Sequence, residues 1–320
     1  MASSALAVIT PTLVEGGSGD QIRGAANSGW VMWSTNTATS STDHYDTFAR
    51  STAGSAFKVN ASGTGGLSGG LNGNTSQAIY QQTDALVSNL YMYDLATKIR
   101  TNPPAGINTS LWEWSPSISP GYILFGRNSF RTPSSPWKVM LYNRTTGTTK
   151  VLATVQNKCE CIFPGQVTDT YATWTKCTRT LCQAWYHNIG TGVSARIPNP
   201  LGRQTYYPAV AATSNNMYFA RSGSGCGAST KIYRWNPATP ATTTLVTVLA
   251  SGHDLSTSSQ ATRDGTHDDV YIAELVCGGR FNADINVIAD ADTAIAAPVQ
   301  ERAEGSGAAK LLLPPGAIPS

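Results

Sequence analysis

The chain has 320 residues, with 22 Lys and Arg against 19 Asp and Glu. The net charge of +3 is spread along it, so the basic patch that nucleic acid or an anionic lipid surface requires is missing. Charged residues make up 13% of the sequence, roughly half the usual quarter, and Ser, Thr, Gly and Asn are plentiful, which suggests an extracellular β protein. No stretch reaches the roughly 18 consecutive apolar residues of a membrane-spanning helix, so membrane insertion is not expected.

At the N-terminus no basic segment precedes an apolar one, and Met1 followed by Ala-Ser-Ser-Ala reads as a start residue placed on a mature secreted chain. Residues Ala5 to Val14 read as one extended strand, followed by a Gly-rich turn at Gly16 to Gly19. Such a strand could close a ring.

From there an apolar, β-branched or aromatic strand recurs six times. Its centres Met32, Ile79, Ile123, Thr173, Tyr218 and Tyr271 are 47, 44, 50, 45 and 53 residues apart. A second motif follows it, in which alternating residues run into an Asx turn: Tyr91-Met92-Tyr93-Asp94, Leu141-Tyr142-Asn143, Tyr186-His187-Asn188 and Tyr233-Arg234-Trp235-Asn236. The turn residues lie 49, 45 and 48 apart. Tyr45 to Gly54 and Asp284 to Thr293 occupy the motif's place in the first and last repeats, where atypical sequence is expected. Short small-residue segments such as Trp114 to Ile118, Phe163 to Val167 and Tyr207 to Val210 precede the apolar strand and suit the crowded inside of a ring. Outer Thr-rich strands at Thr148 to Val155 and Thr243 to Leu249 complete four strands per repeat. The expected fold is therefore an all-β, six-bladed β-propeller over residues 20–297. Residues 1–19 form an extended segment, and residues 298–320 an Ala, Gly and Pro-rich tail whose Leu311-Leu312-Leu313 run may dock on a partner.

The sequence Ser-Pro, apolar strand, then Ile/Val-Tyr-x-Tyr/Trp-Asp/Asn-x-x-Thr-Gly resembles the blades of TolB-like β-propellers, which are similar to the propeller of prolyl-oligopeptidase-type enzymes. The resemblance covers roughly Gln21 to Thr293. It departs from the family pattern at Ser117-Ile118-Ser119-Pro120-Gly121 and Arg263-Asp264-Gly265, where a Ser-Pro-Asp-Gly turn would stand. Those enzymes carry their catalytic triad on a separate hydrolase domain, for which no residues remain here.

In a ring of four-stranded blades, loops entering a blade and loops between its second and third strands lie on one face. All six cysteines, Cys159, Cys161, Cys177, Cys182, Cys226 and Cys277, fall in such loops and are expected as disulfides. The arrangement favours Cys159 and Cys161 each bridging to Cys177 or Cys182, with Cys226 bonded to Cys277. A hairpin staple between Cys177 and Cys182 is the alternative. The same face collects Trp112, Trp114, Arg127, Phe130, Arg131, Trp137, Arg203, Tyr206 and Tyr207. Aromatic platforms flanked by guanidinium groups suit sugar rings, although Trp112, Trp114 and Tyr207 equally suit packing between blades.

Catalytic candidates are few. His253 with Asp254, or His44 with Asp43, could form an acid and base pair for polysaccharide cleavage. Gly66-Leu67-Ser68-Gly69-Gly70 fits a nucleophile-elbow pattern but lies in a Gly-rich stretch read as a turn. Asp264, Asp268 and Asp269 could hold calcium, with a polar turn as the competing reading; otherwise no cofactor is expected. The sequence points to a secreted, non-catalytic recognition module for a surface glycan or protein, using the cysteine-bearing face. The alternatives are a polysaccharide lyase or glycoside hydrolase on the same scaffold, and a structural subunit of an extracellular assembly.

Overall fold

The computed structural model describes residues 9–294 apart from 18, 28, 37–44, 72, 74, 85–86, 130–134, 157–159, 179–180, 199–210, 222–229, 256–259 and 277–282. The recurring Asx positions make the turns the sequence requires. Asp94 Oδ1 accepts the amides of Ala96 and Thr97 at 3.0 and 2.9 Å, and Asn143 Oδ1 those of Thr145 and Thr146 at 2.9 and 3.0 Å. Asn188 and Asn236 accept the Thr191 and Ala238 amides at 3.0 and 2.7 Å. A short acceptor that folds the backbone onto itself a few residues on turns one strand back along the next. Each of these turns joins the third strand of a repeat to the segment leading into its fourth.

Five sheets are built of four consecutive antiparallel strands, beginning at Gln21–Asn27, Gly65–Leu71, Trp112–Ile118, Cys161–Val167 and Ala211–Ala212. The sixth comprises Gln260–Asp264, His267–Val276 and Ala283–Ile288, and its outermost strand is Thr12–Glu15 from the other end of the chain, with Thr12 opposite Val287 and Leu13 opposite Asn286. A short strand, His253–Leu255, pairs with the far end of His267–Val276. The molecule is thus a six-bladed β-propeller whose only helix among the described residues is the 3₁₀ turn Ala291–Thr293. The closing strand Thr12–Glu15 overlaps the end of the extended segment Ala5 to Val14, of which residues 5–8 lie outside the described residues. The tail at 298–320 lies outside them too.

Burial explains why the ring must close. A blade has two apolar faces and cannot cover both alone, so the core is divided into layers between neighbours. Met32, Tyr80 and Tyr93 fill the layer between blades one and two, and Ile79, Ile123 and Phe125 the next. At the seam, Ile22 and Trp33 of blade one meet Ala273, Ala283 and Ile285 of blade six, with Val14 of the closing strand packed on them. The segment leading into the seam grips three blades. The Ile9 amide donates to Val246 O of blade five at 3.3 Å. Asp20 accepts from Tyr45 Oη at 2.9 Å in blade one and from the Ala283 amide at 3.1 Å in blade six.

The inner strands share a feature invisible in the sequence pattern. Their pairing with the second strand slips between Ile22 and Ala25, Ser68 and Leu71, Trp114 and Ser117, and Pro164 and Val167, a β-bulge at one place in each of blades one to four. Gly66 to Gly70 is therefore the inner strand of blade two and not a turn, and Ser68 is buried at 2% exposure, which removes the nucleophile-elbow reading. Two side chains cross from one inner strand to a blade that is not its neighbour. Gln166 Oε1 accepts the amides of Ala212 and Ala261 at 3.0 and 2.7 Å, and its Nε2 donates to Ala261 O at 2.6 Å. Gln260 Nε2 donates to Gly69 O at 3.0 Å. These amides brace the ring across its axis.

Candidate functional site

On the cysteine-bearing face, Trp114 and Arg127 help hold the blades together. Trp114 is 8% exposed, with its ring centre 5.4 Å from that of Trp137 and 6.1 Å from that of Phe163. It lies so close over Gly126 that a Cβ there would come within 2.2 Å of the indole. Arg127 Nε pairs with Glu113 at 2.9 Å, and its Nη2 donates to the carbonyls of Gly106 and Ile107 at 2.9 and 2.7 Å. Glu113 is fully buried, and burial pushes its carboxyl above the usual range although Thr109 and Arg127 pull it down. Trp114 thus serves packing between blades, and Arg127 is engaged by Glu113 and two backbone carbonyls. Trp112 is half-buried at the start of the same strand. Phe130, Arg131, Arg203, Tyr206, Tyr207 and His44 lie outside the described residues.

The cysteine arrangement also differs from the favoured one. Cys177 is bonded to Cys182, and Cys161 is a free thiol. Strand register gives the reason: Cys177 and Cys182 face each other across the mouth of one hairpin, closed by the Thr178 amide donating to Leu181 O at 2.8 Å. Cys161 stands opposite Cys177 on the other side. Cys159, Cys226 and Cys277 lie outside the described residues.

His253 and Asp254 do not form an acid and base pair, because adjacent residues of a strand point to opposite sides. His253 Nδ1 lies 2.7 Å from Glu274 Oε1, while Asp254 Oδ1 accepts from Thr230 Oγ1 at 2.7 Å and from the Leu255 amide. The calcium candidates separate in the same way. Asp269 accepts the Asp290 amide, whereas Asp268, fully buried, accepts from Thr213, Asn216 and Tyr218 at 3.0, 2.7 and 2.8 Å and from Arg263 at 2.6 Å. Four donors already fill this carboxylate, leaving a cation little to replace. The side chain of Asp264 lies outside the described residues. Among the described residues no three His, Cys, Asp or Glu side chains group as metal ligands.

The opposite face holds an open cleft of about 640 Å³ between blades five and six, with Tyr171 of blade four at its edge. One wall is the turn at Ser214, Asn215 and Asn216; another is the turn after Asn236 with Thr239, Thr242 and Thr244. Arg234, Arg263 and Asp292 form the floor. Arg263 is held by Asp268 at 2.6 Å and lies 3.7 Å from Asp292. Arg234 donates to the carbonyls of Asp292 and Ala294.

Among the described residues several polar groups of this cleft find no hydrogen-bond partner: the hydroxyls of Thr239, Thr242 and Thr244, and the amide NH2 of Asn215 and Asn236. Sequence reasoning passed over the cleft because its Ser, Thr and Asn residues are ordinary in this chain. One signal was there. Arg234 occupies the motif position held elsewhere by Met92, Leu141 and Tyr186, a charge in an apolar column.

Fold and comparisons together define a six-bladed β-propeller of the kind found in TolB and in the propeller domains of prolyl oligopeptidases. TolB from Acinetobacter baumannii matches with a TM-score of 0.54 and 15% identity over 81% of this chain and 63% of that one. A structure from a study of two prolyl endopeptidases matches with a TM-score of 0.52 and 10% identity over 80% of this chain and 40% of that one. The β-propeller domain of the Trilobed protease from Pyrococcus furiosus, described as having an open velcro topology, matches with a TM-score of 0.51 and 8% identity over 84% and 95%. The chain therefore spans less than two thirds of the first two, and at these identities the likeness is one of fold alone. No family model and no curated protein matches the sequence.

Proposed function

We propose that the protein is a secreted recognition module that binds a surface glycan without turning it over, through the cleft between blades five and six. The carrying observation is the cluster of polar groups lining it, the hydroxyls of Thr239, Thr242 and Thr244 and the NH2 of Asn215 and Asn236, that make no hydrogen bond among the described residues. Hydroxyls and amides held in a cleft can each donate or accept toward a ligand hydroxyl, which is their natural complement. The cleft volume falls within the roughly 300–1,000 Å³ of small-molecule sites. The Cys177–Cys182 bond and the low charge support an extracellular setting. A protein partner is the competing occupant, and cleavage of a polysaccharide the competing activity.

The test measures binding and new reducing ends on one preparation, using a panel of polysaccharides. Saturable binding with no rise in reducing ends is the expected result. New reducing ends or unsaturated sugar products would replace the recognition reading with a hydrolase or lyase.

A further inference from the structure

Resting on that reading, we infer that the cleft selects a neutral, hydroxyl-rich saccharide unit over an acidic sugar or a carboxylate-ended peptide. The argument is one of charge. Arg234 and Arg263 put two positive charges at the floor, which suggests an anion at first sight. Arg263, however, is spent on Asp268 at 2.6 Å with the Asp292 carboxylate 3.7 Å from it, and Arg234 is spent on the carbonyls of Asp292 and Ala294. Two cations thus stand against two carboxylates within the site.

An anionic ligand would have to draw Arg263 away from Asp268, a carboxylate with no exposed surface, and an uncompensated buried charge costs more than an open cleft returns. What remains unspent is of another kind: hydroxyls of Thr239, Thr242 and Thr244, and the NH2 of Asn236, whose carbonyl oxygen holds the turn by accepting the Ala238 amide at 2.7 Å. A threonine hydroxyl both donates and accepts, and so does a sugar hydroxyl. A site built to hydrogen-bond hydroxyls discriminates strongly against ligands that cannot satisfy it.

The experiment is isothermal titration of the full chain with neutral gluco-, manno- and galacto-oligosaccharides and, separately, with uronic-acid oligosaccharides. It is repeated with Ala238→Trp and Ser214→Trp. Both positions are exposed on the rim, so an indole there fills the cleft without removing a buried contact, and melting curves confirm the fold. At least one neutral series should bind, uronates more weakly by about tenfold or more, and each Trp variant should weaken the neutral ligand by a similar factor. Preferential uronate binding, abolished by the Trp variants, overturns the neutral selection while leaving recognition at the cleft in place. Glycan binding untouched by both variants, or no binding in either series, overturns the cleft itself.

Discussion

Arg50 Nε lies 3.0 Å from Glu15 Oε2, and the same guanidinium donates to Val14 O at 3.1 Å. The pair ties the third strand of the first blade to the strand that completes the last, so the two ends of the propeller meet through one arginine. Both side chains are about a quarter exposed, and such a pair contributes at most about 1 kcal/mol. Most of the closure therefore comes from strand pairing and from Val14 packing on the seam, with Ile9 packed on the layer between blades five and six.

Two truncations of different severity separate these contributions. Arg50→Met should lower stability by about 1 kcal/mol or less. Deletion of residues 1–15 also removes the pairing with Ala283–Ile288 and exposes the seam, and should cost several times more, on the order of 3 kcal/mol or above. Thermal melts of both variants check the order. An unchanged melt on deletion would show that the ring closes without this strand.

The cystine should contribute about 2 kcal/mol, the loop-entropy value for so short a ring, and Cys177→Ser with Cys182→Ser should lower melting by roughly 4 °C in a chain of this size. Burial pushes the Cys161 thiol from 9.0 up to about 11. The folded chain keeps this proton while the unfolded chain releases it, so the folded state loses stability as pH rises from 9.0 toward about 11. Native protein at pH 8 should leave Cys161 unlabelled by iodoacetamide, and denaturation should expose it. Peptide mapping without reduction reads both the bond and the thiol.

Asp268→Asn replaces an acceptor ringed by donors with a group that presents two N–H bonds to them, and leaves Arg263 without its nearest partner. The expected cost is about 3 kcal/mol. Millimolar calcium or EGTA should leave the melt of the wild-type protein unchanged. A calcium-dependent rise that Asp268→Asn abolishes would restore the metal reading of this cluster.

Across the axis, Gly70 has φ +104°, and a Cβ at this residue would meet the Gln260 amide at 2.2 Å. Gly70→Val therefore combines backbone strain with a steric clash and should cost about 2 kcal/mol or more. Gln166→Ala strands the Ala212 and Ala261 amides in the interior and should cost a similar amount. Urea titration reads both, and loss of neither would mean that the bracing amides are incidental to the ring.

The blades were legible because two local signals repeat. Asx residues at 94, 143, 188 and 236 fix turns through their own side chains, and apolar strands centred from Met32 to Tyr271 become the second strand of every blade. Periodicity carries no record of what lies across the axis or the seam. The Gln166 bridge joins residues distant in sequence through backbone groups that every residue possesses, and the inner-strand bulges leave no periodic mark, whereas the closing strand was legible as the extended segment Ala5 to Val14. The engagement of individual side chains was not legible for a related reason. Trp114 and Arg127 have the chemistry of a sugar platform, but their contacts with Phe163, Gly126 and Glu113 come from strands that only the fold brings together, as do the residues around the cleft between blades five and six.

Hydrogen–deuterium exchange with and without a saturating neutral oligosaccharide tests recognition at the cleft most directly. Protection is predicted over residues 213–216 and 236–244, with the cysteine-bearing strand ends at Cys161 and Cys177 unchanged. Protection confined to the cysteine-bearing face, or none at all, would contradict it.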